Sequence, residues 1–175
     1  MRNDLKEVIE SACHDLLVND GILFSCEIEE DLPYDSRKLH EVCINHRLAK
    51  YLEARFIEQF PDEENLFCDI EFNREGIEKK ELSYKGNIKV VRPDIIIHNR
   101  RSGHDKRNIL VVECKKYGAA NSDLTDDKEK IKAFMVEPNY QYSFGLQVIY
   151  GVHEIKGSFF WTENEGISEV ELNVS

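Results

Sequence analysis

The sequence predicts one α/β domain built on a mixed sheet with helices against it, α+β being the neighbouring class. Three observations lead there. The expected elements run helix, helix, three strands, helix, strand and then a strand-rich tail, an order that layers helices on a mixed sheet. The 175 residues suffice for a single real core. No internal repeat, low-complexity tract or linker divides residues 1–175.

Asn3 or Asp4 is placed to cap a first helix, on which Leu5, Val8, Ile9, Ala12, Leu16 and Leu17 recur near helical spacing until Gly21. Residues 22–30, ILFSCEIEE, read as a short strand or an irregular connection, and Pro33 with Asp35-Ser36 marks a turn. A second helix is expected over 37–58, with Leu39, Val42, Cys43, Ala49, Leu52, Phe56 and Ile57 on its apolar face and Pro61 as its limit. Residues 66–74 alternate as a strand with Leu66, Cys68, Ile70 and Phe72 on one side. A polar loop follows over 75–87. Strands are then expected over 88–99 and 108–117, joined by the charged RRSGHDKR. The next helix should run from near Asp123 through Phe134, with Ser122 as candidate cap and Asp126 and Asp127 suiting its first turn. Strands over 142–151, GSFFWTE and ISEVELNV complete the chain.

Hydrophobic residues at 41% and charged residues at 33% give a soluble globular balance rather than a disordered one. No apolar run nears the roughly 20 residues that cross a bilayer. MRNDLKEVIE is too polar for a secretory signal core, so the expectation is a cytoplasmic protein without membrane contact. The five cysteines are odd in number, scattered and never at Cys-x-x-Cys spacing, which argues for reduced thiols over a zinc site. The net charge of −11 by itself disfavours nucleic acid. Its distribution changes that argument: residues 74–116 carry 12 Lys/Arg against 6 Asp/Glu, while the remainder is net −17.

The basic segment contains ILVVECKK (109–116), an apolar strand that ends in charges. A hairpin centred between Gly103 and His104 pairs residues whose numbers sum to 207, so Asp94 faces Glu113. Strand alternation puts Lys115 on the Glu113 side. A slip of one residue would turn one carboxylate to the other face. In this register two carboxylates converge beside an ammonium, and their mutual repulsion is relieved by a divalent cation. Mg²⁺ suits such oxygen ligands, and the Cys114 carbonyl offers another. The ion would activate water and polarise a phosphoryl oxygen, with Lys115 orienting the water or stabilising phosphate charge.

Pro93-Asp94 followed by Glu113-Cys114-Lys115 resembles the signature of the PD-(D/E)XK nuclease superfamily, the restriction-endonuclease-like fold. The element order over about 37–151 resembles its αβββαβ core, with an N-terminal helix and a strand-rich C-terminal tail added. HEVCINHRLAKYLE (40–53) resembles the helix on which that family often carries a glutamate, and Glu41 is the matching position. CDIEFNR, RPDIIIHNR, VVECKK and DKEKIKAF further resemble a poorly characterised bacterial and phage branch, in which His46, His98 and Lys130 fall at recurring motif positions. The resemblance implies a Mg²⁺-dependent nuclease, with Mn²⁺ substituting and DNA favoured over RNA. Asp94, Glu113, Glu41 and the Cys114 carbonyl would hold metal, and Lys115 would assist catalysis.

Plainer readings stand beside these. Glu113 and Lys115 also fit a salt bridge at a sheet end. Glu53 competes with Glu41, and Asn45 lies one turn beyond Glu41. His98, Arg100, Arg101, Lys116 and Lys130 are candidates for nucleic-acid contact. His98 equally fits a hydrogen-bonded histidine, the arginines (with Lys106 and Arg107) a soluble hairpin tip, and Lys130 a solvated helix face. His46 reads as a packing or hydrogen-bonding residue, and Trp161 with Phe159 and Phe160 as core. The acidic exterior predicts that a homodimer or partner subunit supplies part of the grip. The competing class is a non-cleaving module that binds nucleic acid or protein.

Overall fold

The computed structural model describes residues 1–21, 23, 40–63, 65–75, 78–101, 103–163 and 166–175. The connection expected over 22–30 (Leu23 apart), the turn at Pro33 and Asp35-Ser36, and the expected start of the second helix at 37–39 lie outside the described residues.

Helix α1 (Arg2–Asp20) buries Leu5, Val8, Ile9, Ala12, Cys13 and Leu16, one stripe at three- and four-residue spacing. Met1 occupies its N-cap position without a side-chain bond, so neither Asn3 nor Asp4 caps it; Asp4 instead pairs with the terminal ammonium at 2.5 Å. Helix α2 (Glu41–Gln59) buries Ile44, Asn45, Leu48, Ala49, Leu52 and Phe56. Val42, Cys43 and Ile57, expected on that face, point outward. Two carboxylates of α1 tie the helices together, with Arg47 Nε 2.8 Å from Asp20 and Arg55 Nε 2.7 Å from Asp15.

The strands are β1 (Phe67–Ile70), β2 (Arg74–Glu75), β3 (Glu78–Lys79), β4 (Glu81–Tyr84), β5 (Asn87–Val90), β6 (Ile95–His98) and β7 (Asn108–Lys116). Helix α3 (Asn121–Val136) follows, then β8 (Phe144–Tyr150), β9 (Ile155–Glu163) and β10 (Gly166–Val174). Six strands form one mixed sheet in the order β1-β6-β7-β8-β9-β10, in which only β7 and β8 run parallel. The parallel pair needs a crossover, and α3 supplies it.

Four expectations change in physical detail. The strand expected over 66–74 stops at Ile70, because Glu71 takes a positive φ of 48°. Phe72 therefore leaves the face of Cys68 and Ile70 and packs with the opposite core. The strand expected over 88–99 is two strands: β5 pairs with β4 as a separate hairpin, and β6 begins only at Ile95. Pro93, with no N–H to give a ladder, sits in the break. The polar loop over 75–87 carries β3, β4 and the tight Lys85-Gly86 turn, both residues at positive φ. In α3, Ala120 holds the N-cap position and Ser122 lies inside the first turn, bonded to Asp123 rather than capping.

The sheet separates two cores. On one face Ile95, Ile97, Leu110, Val112, Cys114, Leu146 and Val148 pack under α1 and α2. On the other, Ile96, Val111 and Phe160 pack under Ile131, Phe134 and Met135 of α3. Among the described residues no helix is long and apolar enough to cross a membrane, and the four described cysteines are free thiols.

Candidate active site

The site forms where β6 begins and β7 ends. The two strands pair Ile95 with Val112, Ile96 with Val111 and Ile97 with Leu110, the sum of 207 expected from the hairpin. The register shifts only at His98, opposite Asn108. Asp94 stands one residue before β6, where the same register leads to Glu113. Its Oδ2 accepts the Cys114 backbone N–H at 2.7 Å, which fixes the carboxylate to β7.

Alternation decides which helix the charges meet. Leu110, Val112 and Cys114 belong to the α1/α2 core, so Val111, Glu113 and Lys115 face α3. Helix α3 answers with two charges one turn apart. Lys130 Nζ lies 2.8 Å from Glu113 Oε2, and Lys115 Nζ lies 3.3 Å from Asp127 Oδ2. Lys115 also donates to the Cys114 carbonyl at 3.2 Å. Glu41, the first residue of α2, is half-buried at this end of β7, where the Lys116 backbone amide bonds its carboxylate.

Four carboxylates, Glu41, Asp94, Glu113 and Asp127, thus share a neighbourhood with two ammoniums, Lys115 and Lys130. Burial raises the pKa of every one of the four acids. Glu113, only 2% exposed, is pushed up to about 8 by burial, against the opposing pull of Lys130 and with help from Asp94. Burial works against the Lys115 ammonium, yet Asp127, Glu41 and Asp94 outweigh it and raise its pKa. Glu113 Oε1 is buried with no hydrogen-bond partner among the described residues. Asp127 Oδ2 is within ion-pair distance of Lys115 but outside hydrogen-bond geometry.

A hard divalent cation fits this set. The donors are all oxygens, acids outnumber bases, and among the described residues two buried carboxylate oxygens, Glu113 Oε1 and Asp127 Oδ2, lack a hydrogen-bond partner. Among the described residues no three His, Cys, Asp or Glu side chains already form a coordination cage. Mg²⁺ needs only one or two protein carboxylates and keeps several waters, so Asp94, Glu113 and the Cys114 carbonyl suffice in kind.

The structure does not bring all the candidates together. His98 and Arg100 sit at the far end of β6, about 13 Å or more along the chain from Asp94. His98 Nε2 is 2.9 Å from Asp69 Oδ2, and burial lowers its pKa. Arg100 makes a two-pronged ion pair with the same Asp69 and lies over the Phe67 ring. Arg101 is exposed beside them, its backbone N–H on Asn99. Lys116 is half-exposed at the end of β7, next to the site. Lys130 lies in the site rather than on a solvated face. His46, expected to pack or bond, is exposed. Glu53 lies three turns along α2 from Glu41 and reaches the Cys68 amide instead. Asn45 accepts from the Tyr150 hydroxyl at 3.0 Å, in a buried pair that also touches Cys114. Trp161 is half-exposed at the core margin, while Phe159 and Phe160 are buried.

Two residues of the site were not read from the sequence. Asp127, 6% exposed, reads from the sequence only as a first-turn acid, but α3 starts at Asn121 rather than near Asp123 and Asp127 falls in its second turn. The spacing 127, 131, 134, 135 was the available signal, since Ile131, Phe134 and Met135 are the buried stripe of α3. Gln147, paired with Glu113 across β7 and β8, is buried and donates to the Leu124 carbonyl at 2.7 Å. A polar residue inside the run FGLQVIY was its signal. Comparisons with family models, with curated proteins and with solved structures return no match.

Proposed function

We propose that this chain is a Mg²⁺-dependent nuclease of the PD-(D/E)XK type that hydrolyses phosphodiester bonds, in DNA rather than RNA. The observation that carries the reading is the joint position of Asp94, Glu113 and Lys115, with a buried, unpartnered Glu113 oxygen among them. The order α2, β1, β6, β7, α3, β8 supports the αβββαβ core of the restriction-endonuclease-like fold, with the β2–β5 segment inserted between its first two strands.

Asp94, Glu113 and the Cys114 carbonyl are the oxygens that would hold the ion, and Glu41 extends the set. Bound Mg²⁺ supplies charge neutralisation and Lewis acidity toward a phosphoryl oxygen, and Mn²⁺ substitutes for it. Lys115 has three N–H donors. One is on the Cys114 carbonyl, and the ammonium lies 3.3 Å from Asp127 Oδ2. Lys115 would align the attacking water or meet charge on the phosphate. Lys130 brings a second cation from α3 to the same side of the sheet.

Purified protein should cut linear or plasmid DNA when Mg²⁺ is added and stop in a chelator. Asp94→Ala, Glu113→Ala and Lys115→Ala should each lose about 10²-fold or more in rate, the scale of removing one group that stabilises transition-state charge. Equal cutting in all three would refute the assignment. The competing reading, a non-cleaving binding module, draws on Lys130 and the Cys114 amide already satisfying one oxygen each of Glu113 and Asp94. Calorimetric titration separates them. A saturable Mg²⁺ or Mn²⁺ site that Asp94→Ala abolishes supports the nuclease, and no saturable site supports the module.

A further inference from the structure

A carboxylate in the second turn of α3, on a stripe otherwise made of Ile131, Phe134 and Met135, is out of place for packing alone. Asp127 is desolvated there, and an acid so placed is costly unless something charged meets it. Only a cation on β7 meets it at close range among the described residues: Lys115 Nζ at 3.3 Å. Lys130, one turn further along α3, meets Glu113. The helix rises about 4.5 Å over these three residues and the strand about 6.6 Å over its two, so the pairs can form side by side only because α3 runs against β7.

We propose that Asp127 is a positioning residue that holds the Lys115 ammonium in its working direction, so that α3 sets the geometry of the reactive end of β7. The inference rests on the nuclease reading of the same site. A lysine side chain has four rotatable bonds, and that of Lys115 is 28% exposed here. Without an anchor the ammonium would spend much of its time in solvent. The Cys114 carbonyl accepts from the ammonium at 3.2 Å. Asp127 draws the ammonium toward the α3 side of the sheet. Glu41 and Asp94 also attract Lys115, but their carboxylates are bonded by the Lys116 and Cys114 amides. Asp127 is the strongest of the three attractions on the ammonium.

The test uses the full chain and three variants. Asp127→Asn keeps shape and removes charge. Asp127→Glu keeps charge on a longer arm. Lys115→Arg identifies the Lys115 signal in spectra of ¹⁵N-lysine side-chain ammonium groups. The expected result is a fall in kcat of about 10-fold or more for Asp127→Asn, with KM within about twofold, the pattern of an interaction needed in the transition state rather than in binding. Asp127→Glu should recover part of the loss. The Lys115 Nζ signal, slowed in exchange by its ion pair in the metal-free wild type, should broaden or vanish in Asp127→Asn and return in Asp127→Glu. If the wild type cuts and Asp127→Asn cuts as fast, the inference falls and the nuclease reading stands. If Asp127→Asn is slow but its Lys115 signal is unchanged, Asp127 acts only on the fold and the inference falls again. If the wild type cuts no substrate, or cutting survives Asp94→Ala, both fall together.

Discussion

Glu113 sets the pH behaviour of the site. Its carboxyl is pushed up to about 8 by burial and by Asp94, from an ordinary value of 4.5. Between those values the folded chain keeps a proton that the unfolded chain has released. The unfolded state then binds fewer protons, so unfolding free energy falls as pH rises. The contribution of this group is whole below about pH 4.5 and is lost as pH climbs through about 8. Asp94, Glu41 and Asp127 are raised too and act in the same direction. Above about pH 6.5, where His98 with its lowered pKa no longer acts in the opposite sense, the metal-free protein should therefore melt at progressively lower temperature up to pH 8.5. Glu113→Gln, which cannot ionise, should flatten that slope. Cleavage by the wild type should also rise with pH, but at lower pH than the metal-free titration, because a bound cation favours the ionised carboxylate. Melting curves in chelator, wild type beside Glu113→Gln, check the first claim. Identical slopes would mean that Glu113 is not the group that titrates.

Helix α3 reaches the site because β8 lets it come close. Gly145 lies beneath it, and a Cβ there would stand 2.3 Å from Ile131 Cγ2 and 3.0 Å from Met135 Sδ. Gly145→Val should therefore cost about 1–3 kcal/mol through overpacking. It should also lift the helix that carries Asp127 and Lys130, so cleavage should fall by more than the loss of folded protein explains. Denaturant melts read the stability, and cleavage at a temperature where the variant stays folded reads the site. A destabilised variant that cuts at the wild-type rate would detach the helix position from the chemistry. The same helix shows what the sequence could convey. The 207 register was legible because β6 is short, β6 and β7 are apolar, and a turn-rich loop joins them, so few pairings bury both strands. Asp94, Glu113 and Lys115 follow from that register, whereas Glu41 comes only from the family resemblance, on a helix expected to begin near residue 37. Asp127 was hidden because an acid near a helix N-terminus already has a sufficient local reason to be there. Phe72 was misread because period-two alternation presumes continuous strand, and the positive φ of Glu71 breaks it. The break at Pro93 was legible in principle, yet the apolar residues on both sides of it masked it.

Across the whole molecule the charge read along the chain is not the charge presented to a ligand. Residues 74–116 are net +6 in sequence, but the fold folds acids from elsewhere against them. Arg100 pairs with Asp69, Arg107 with Glu63, Arg92 with Glu71, and Lys85 with Asp126 and Glu129. A phosphate could take these cations only by displacing their carboxylates. The cations grouped at the site are Lys115, Lys116 and Lys130, of which Lys115 and Lys130 are themselves paired with Asp127 and Glu113 and would likewise have to exchange them for phosphate. A single copy then offers about three phosphate contacts, and log K against log salt should have a slope near −3 on duplex DNA. Such a grip is weak at physiological salt for a chain of net −11. We therefore expect two copies to share one duplex, with a slope near −5 and a particle of twice the chain mass. Fluorescence anisotropy with the Asp94→Asn variant, which keeps the DNA intact, gives the slope over a potassium chloride series. Light scattering on the same sample gives the mass. A monomer with a slope near −3 would show that the site cations are the whole of the grip and would remove the dimer. A monomer with a slope steeper than about −6 would require the Arg100–Arg107 tip to abandon its ion pairs, and Arg100→Gln would then weaken binding where this charge map predicts no change.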